Sequence, residues 1–218
     1  MTIDDDKIDI RGGTATLRVR PDRRALVVDS PGRAPEIIEF QPRIDISGGG
    51  ELVVSGDERH VALFGYSGQS SQGYELFRLD PLAHLAGFPD TRGEGDAPQF
   101  SPDGRWLVMA MTIDAPLVRG TGEYFEEVAD DDSDELVVID WARLVVQQVA
   151  GGQPVTVPMG VEAAVSTDPD TVLGWNTYTH PLRFTADDVV VVTMPWGEEI
   201  PVPLPSAGPV TGREFTAI

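Results

Sequence analysis

Two groups of side chains in this sequence have types that could do chemistry. The first is an acidic group: Asp96, then Asp114, Glu123, Tyr124, Phe125, Glu126, Glu127, Asp130, Asp131 and Asp132. Dense carboxylates steer a basic partner toward encounter, and two aromatics among them offer apolar anchors, so these residues are read as partner-binding. A mobile, solvated insertion is the plainer reading of the same run, since blocks of like charge repel. The second group is Trp175, Tyr178 and His180, with Asn176 between them, a polar and aromatic cluster suited to a small ligand. A packed connection between strands is its plainer reading.

Other chemistries lack their signatures. Asp130 to Glu135 could offer oxygen ligands to Ca²⁺, but the run lacks the Asp-x-Asp-x-Asp-Gly spacing of a calcium loop. His60, His84 and His180 share no metal-ligand spacing, and the first two fall on expected strands as structural residues. Gly68-Gln69-Ser70-Ser71-Gln72-Gly73 is not a nucleophile elbow, and no phosphate-cradling glycine loop occurs. With no cysteine, thiolate chemistry is excluded. No catalytic residue, metal or cofactor is therefore expected. Trp106, Trp141, Trp175 and Trp196 are read first as core, because each buries so much area.

The formal charge is −20, from 36 acidic against 16 basic residues, and Lys7 is the only lysine. Such a surface repels DNA, RNA and anionic lipid, so neither nucleic acid nor membrane is an expected partner, whereas a basic protein is attracted. No run approaches the roughly 20 apolar residues of a membrane span, and Met1 to Lys7 lacks leader features. A cytoplasmic protein is expected.

The elements that must position these groups read as strands throughout. Residues 1–10 are polar and acidic, so order is expected from about Thr14. Apolar and polar residues alternate or run together at 14–19, 24–29, 36–40, 51–54, 60–66, 74–80, 83–88, 97–100, 105–112, 135–140, 143–149, 182–184, 189–194 and 199–204. Residues 160–165 and 171–175 could add two more. Trp141 to Val149 could also form an amphipathic helix, but its β-branched content favours a strand. Ser67–Gly73, Phe88–Asp96 and Ile113–Asp134 read as loops that a meander brings to one end, making that end the candidate site face.

One stretch orders all of these. In Phe100-Ser101-Pro102-Asp103-Gly104-Arg105-Trp106-Leu107, a turn built from Pro, Asp and Gly runs directly into an apolar strand. Weaker copies stand at Arg20-Pro21-Asp22-Arg23, Ser55-Gly56-Asp57-Glu58 and Thr185-Ala186-Asp187-Asp188. The stretch resembles the blade hairpin of TolB-like and WD40-like β-propellers, although no Trp-Asp dipeptide closes a repeat. The resemblance implies an all-β fold of antiparallel meander units, four to five blades in a small closed or an open, partial propeller. Residues 1–218 would form one domain with units at about 8–40, 43–88, 96–150 and 155–205 and a tail at 206–218. An open arc would expose edges that a homodimer could cover.

Three functional readings stand open. The first is a noncatalytic interaction module taking a basic protein partner on its acidic loop face, an immunity-type protein being its specific version. The second is a small-molecule-binding or hydrolytic propeller using the same face. The third is a structural dimerisation module.

Overall fold

The computed structural model describes residues 7–42, 44, 49–66, 71–113, 136–140, 142–158, 162–166, 182–185, 189–193 and 199–204. All regular structure among them is β. The chain divides into two compact units, one of Met1–Thr91, Ala97–Leu107 and Gln147–Pro154, the other of Arg92–Asp96, Val108–Val146 and Val155–Ile218.

In the first unit, β1 (Ile8–Ile10), β2 (Ala15–Val19), β3 (Ala25–Asp29) and β4 (Glu36–Glu39) form a four-stranded sheet in chain order. Every pairing is antiparallel, with Ile10 opposite Ala15, Val19 opposite Leu26 and Leu26 opposite Ile38. A four-stranded meander in this order is the topology of a propeller blade. The expectation of order only from Thr14 is corrected by β1, whose Ile10 is fully buried. Its apolar residues alternate over too short a span to register as a pattern.

A second meander follows from β5 (Gly49–Val54) through β6 (His60–Tyr66) and β7 (Ser71–Leu79) to β8 (Leu82–Gly95). Val61, Leu63, Phe77 and Leu79 alternate along β6 and β7, so they share one face. They pack with Leu17, Val19, Leu26, Val28 and Phe40 in a single apolar cluster. Phe40 meets Phe77 edge to face at 4.9 Å between ring centres, a favoured aromatic geometry.

The expected loop at Phe88–Asp96 is strand as far as Gly95. Gly93–Gly95 pairs with Ile113–Met111 of β10 (Trp106–Ile113). Its Pro, Gly and Asp content favours a turn locally, but the neighbouring ladder satisfies its backbone and outweighs that weak preference. Ser71 to Gly73 likewise belong to β7.

Three turns of the first unit share one hydrogen-bond pattern. The N–H groups of Arg20, Ser55 and Ser101 donate to the carbonyls of Ala25, His60 and Trp106, and those of Arg23, Glu58 and Gly104 donate back to Arg20, Ser55 and Ser101. In each turn the Asp carboxylate takes the N–H two residues on, from Arg24, Arg59 and Arg105. The fourth turn residue has positive φ in every case: Arg23 at 60°, Glu58 at 54° and Gly104 at 69°. Only the last is the residue type that adopts this conformation without strain. The side chain of Asp57 lies against Gly104, with Oδ2 3.6 Å from where a Cβ would stand. In this unit β9 (Gln99–Phe100) pairs with β10, and Val149 donates to the Arg105 carbonyl.

In the second unit, β11 (Leu136–Asp140) pairs with β14 (Glu162–Ser166), and β12 (Ala142–Gln148) with β13 (Val155–Pro158). The strand beside β10 is β12, not β11 as consecutive meander strands would require. Trp141 alone separates β11 from β12, and one residue cannot make the two-residue turn of even the tightest common hairpin. The helical alternative for Trp141 to Val149 gives way to strand β12, in which Leu144, Val145 and Val146 are successively buried. Such a run marks a strand covered on both faces. A three-stranded antiparallel sheet of β15 (Leu182–Phe184), β16 (Val189–Thr193) and β17 (Glu199–Pro203) completes the order, with Val190, Val191, Val192 and Val202 buried.

Candidate functional site

Most of the residues read from sequence as a site lie outside the described residues: Asp114, Glu123, Tyr124, Phe125, Glu126, Glu127, Asp130, Asp131, Asp132, Trp175, Tyr178 and His180. Trp141 and Trp196 do so as well. Asp96 follows β8 directly and is half-buried. Trp106 is core, as read, at 1% exposure. Its indole nitrogen has no hydrogen-bond partner among the described residues.

The described residues contain a different chemical pair. Glu75 on β7 is fully buried. Its Oε2 stands 2.8 Å from Nε2 of His84 on β8, whose side chain is a quarter exposed. Strand alternation puts Glu75 on the same face as Phe77 and Leu79, directly opposite Leu63. The His84 ring lies 5.0 Å from Phe77 and 5.9 Å from Phe40, centre to centre. Behind the pair, β8 comes so close to β7 that a Cβ on Gly87 would fall 2.1 Å from the Tyr74 carbonyl oxygen and 2.7 Å from Glu75 Oε2.

The contact joins a carboxyl oxygen to a ring nitrogen and fixes the orientation of the imidazole at the edge of the core, with the donor set by the tautomer. Sequence reading placed His84 on a strand as a structural residue and passed over Glu75. The missed signal was available: a glutamate in phase with Phe77 and Leu79 belongs to the apolar face.

Further buried polar groups surround this region. Tyr74 is fully buried and stacks on Phe88 at 6.1 Å; its hydroxyl has no partner among the described residues, and burial pushes its phenol pKa upward. Gln147 donates from Nε2 to the carbonyls of Ala86 at 3.3 Å and Gly152 at 3.0 Å. Among the described residues, no group of three or more His, Asp or Glu could hold a metal ion.

At the surface, arginines are joined to carboxylates within the chain: Arg11 to Glu36 at 3.1 Å, Arg18 to Asp29 at 2.8 Å, Arg20 to Asp22 and Glu39, Arg105 to Asp103, and Arg183 to Glu199 at 2.8 Å. Burial opposes ionisation of Asp103, yet hydrogen bonds from Ser101 and from the Arg105 side chain and backbone outweigh it and hold the carboxyl at about 2. Asp57 is lowered in the same way, with Ser55 and the Arg59 N–H overcoming burial. Asp22 is lowered by the Arg20 side chain first and the Arg24 N–H second.

No protein-family model matches the chain, and no curated protein matches it. Solved structures resemble it distantly. A candidate 6-phosphogluconolactonase from Bacteroides uniformis is 12% identical, with 86% of this chain and 46% of that one covered and a TM-score of 0.41. The β-propeller domain of the Trilobed protease from Pyrococcus furiosus is 11% identical, with 83% and 44% covered and a TM-score of 0.39. The acylaminoacyl peptidase of Pyrococcus horikoshii is 12% identical, with 86% and 27% covered and a TM-score of 0.39. The chain spans less than half the length of each. These likenesses transfer no activity to it; its blade-like meanders are evident in its own strand order. Among the described residues, no helix is long and apolar enough to cross a membrane.

Proposed function

We propose that this chain is a noncatalytic interaction module that takes a basic protein partner on its acidic surface. The observation that carries the reading is the balance of charge. Acidic residues exceed basic ones by 36 to 16, and Arg11, Arg18, Arg20, Arg105 and Arg183 are engaged with the chain's own carboxylates. The carboxylates left over create a field that accelerates encounter with a cationic protein and repels anionic ones. The run from Asp114 to Asp132, with Tyr124 and Phe125 as anchors, is the proposed docking segment. An immunity-type role against a basic toxin is the specific form of this proposal, and the cytoplasm is its proposed setting.

The test is retention of purified basic proteins on the immobilised chain as ionic strength rises. Retention at about 50 mM salt that is lost near 500 mM, where screening shortens to a few ångströms, supports the reading. Equal retention of acidic and basic proteins, or of neither, removes it.

The Glu75–His84 pair favours a second reading, a small-molecule site. Perturbation of the His84 ring resonances by a fragment library would support it. Unmoved resonances would count against it.

A further inference from the structure

We propose that Arg59, His60 and Arg78 form a binding site for a small tetrahedral oxyanion, a phosphate or a phosphate monoester. The site is separate from the proposed basic-partner surface and from the Glu75–His84 pair. His60 opens β6 directly opposite Arg78 on β7, so the two side chains share one face of the sheet. Alternation along β7 puts Glu75 on the other face. Arg59 precedes His60 and is held there by its backbone, its N–H donating to Asp57 Oδ1 at 3.0 Å and its carbonyl accepting from the Leu79 N–H at 2.8 Å. Burial is the largest cause of a lowered His60 pKa; the attraction of Asp57 opposes it, and the charges of Arg59 and Arg78 add to it. Both guanidiniums therefore stand within electrostatic reach of the ring.

The chain does not neutralise these cations as it does others. Arg11, Arg18, Arg20, Arg105 and Arg183 meet carboxylates, whereas neither Arg59 nor Arg78 has an ion-pair partner among the described residues. Arg78 gives Nε to the Pro81 carbonyl at 3.2 Å, which orients the guanidinium and leaves its two terminal nitrogens to a ligand. The His60 Nδ1 is buried with no hydrogen-bond partner among the described residues. The carboxylates of the adjoining turn are engaged: Asp57 Oδ1 takes the Ser55 hydroxyl at 2.7 Å and the Arg59 N–H, and Glu58 Oε2 takes the Gly12 N–H at 3.0 Å. Asp57 attracts Arg59 only at longer range. Arg59 is exposed and His60 and Arg78 are partly buried, so solvent reaches the group. Donors on three separate side chains suit an anion with more than the two oxygens of a carboxylate. The charge of −20 repels nucleic acid and anionic membranes at long range, while a small ion is held by short charge-assisted hydrogen bonds.

The test titrates the full chain with inorganic phosphate, phenyl phosphate and acetate at matched ionic strength, following the His60 ring resonances and the Arg78 Nε–H. Both phosphates are expected to move these signals to saturation, and acetate is not. Tighter binding of the ester marks a phosphorylated small molecule as the ligand, and tighter binding of the inorganic ion marks free phosphate. Arg78→Gln should weaken phosphate about tenfold or more, the scale of one charge-assisted hydrogen bond. Arg78→Lys should recover only part of that loss, because it keeps the charge without the planar fork. Arg33→Gln, the same change of charge at an exposed arginine outside the group, should leave binding as it was. Should Arg78→Gln unfold, Arg59→Gln at an exposed side chain carries the same expectation of about tenfold. Equal shifts with acetate, shifts that never saturate, binding that survives both glutamine variants, or equal weakening by Arg33→Gln would each overturn the proposal.

Discussion

Glu75 and His84 meet at 2.8 Å across neighbouring strands, the carboxylate wholly inside the apolar core of the first unit and the imidazole at its rim. Burying a carboxyl group is expensive, and the imidazole offsets part of that expense by hydrogen bonding. The pair thus ties β7 to β8 through a buried polar contact.

Replacing one member should destabilise the fold more than replacing the pair by shape-matched apolar residues. His84→Ala removes the imidazole from a buried carboxylate and is expected to cost about 3 kcal/mol. Glu75→Leu with His84→Phe should cost less than that. Urea unfolding of both variants checks the order; equal losses would mean that the pair is not coupled.

Gly87 permits the close approach of β8 to β7. A Cβ there would stand 2.1 Å from a backbone oxygen, which no side-chain rotation can relieve. Gly87→Ala should therefore destabilise by about 3 kcal/mol, at the upper end of overpacking effects, as read from the denaturant midpoint.

The turn aspartates make the fold sensitive to acid. The Asp103 carboxyl is held at about 2, below its ordinary 3.8. A depressed folded value means that its contribution is complete above about 3.8 and is lost as pH falls toward 2. Asp57 and Asp22 act in the same direction. Asp103→Asn should lower stability at pH 6, and its difference from the unmodified chain should shrink as pH approaches 2. A constant difference across that range would contradict the assignment.

The matched turns offer a test by residue exchange. Gly104 has φ of 69° and Arg23 has φ of 60° at the same turn position. Gly104→Ala should cost about 1 kcal/mol, and Arg23→Gly should gain up to about 1 kcal/mol by relieving a left-handed conformation. Thermal melting of the two variants should shift in opposite directions.

Strands at 15–19, 25–29, 36–39 and 60–66 are legible in the chain because alternation and β-branched residues act over a few neighbouring positions, and Pro, Asp and Gly punctuate them. The long β8 was not legible, because its last residues are extended only in response to β10. The β10–β12 neighbourhood was partly hidden for the same reason, although the single residue between Asp140 and Ala142 already forbade a hairpin there. Of the acidic and aromatic residues singled out as a site, Asp96 alone lies among the described residues.

By itself the sequence determined the chemical classes within reach: an acidic, cysteine-free chain built from strands and Asp-centred turns. Local propensity, hydrophobic period and net charge are properties of the residues in order, so they can be read in order. Tertiary structure alone decided that Glu75 would meet His84 and that Asp57 would lie against Gly104. It also decided that Leu26 would stand opposite Ile38. Each of these depends on strand register, which is set by pairing between distant segments and has no signature in any one of them.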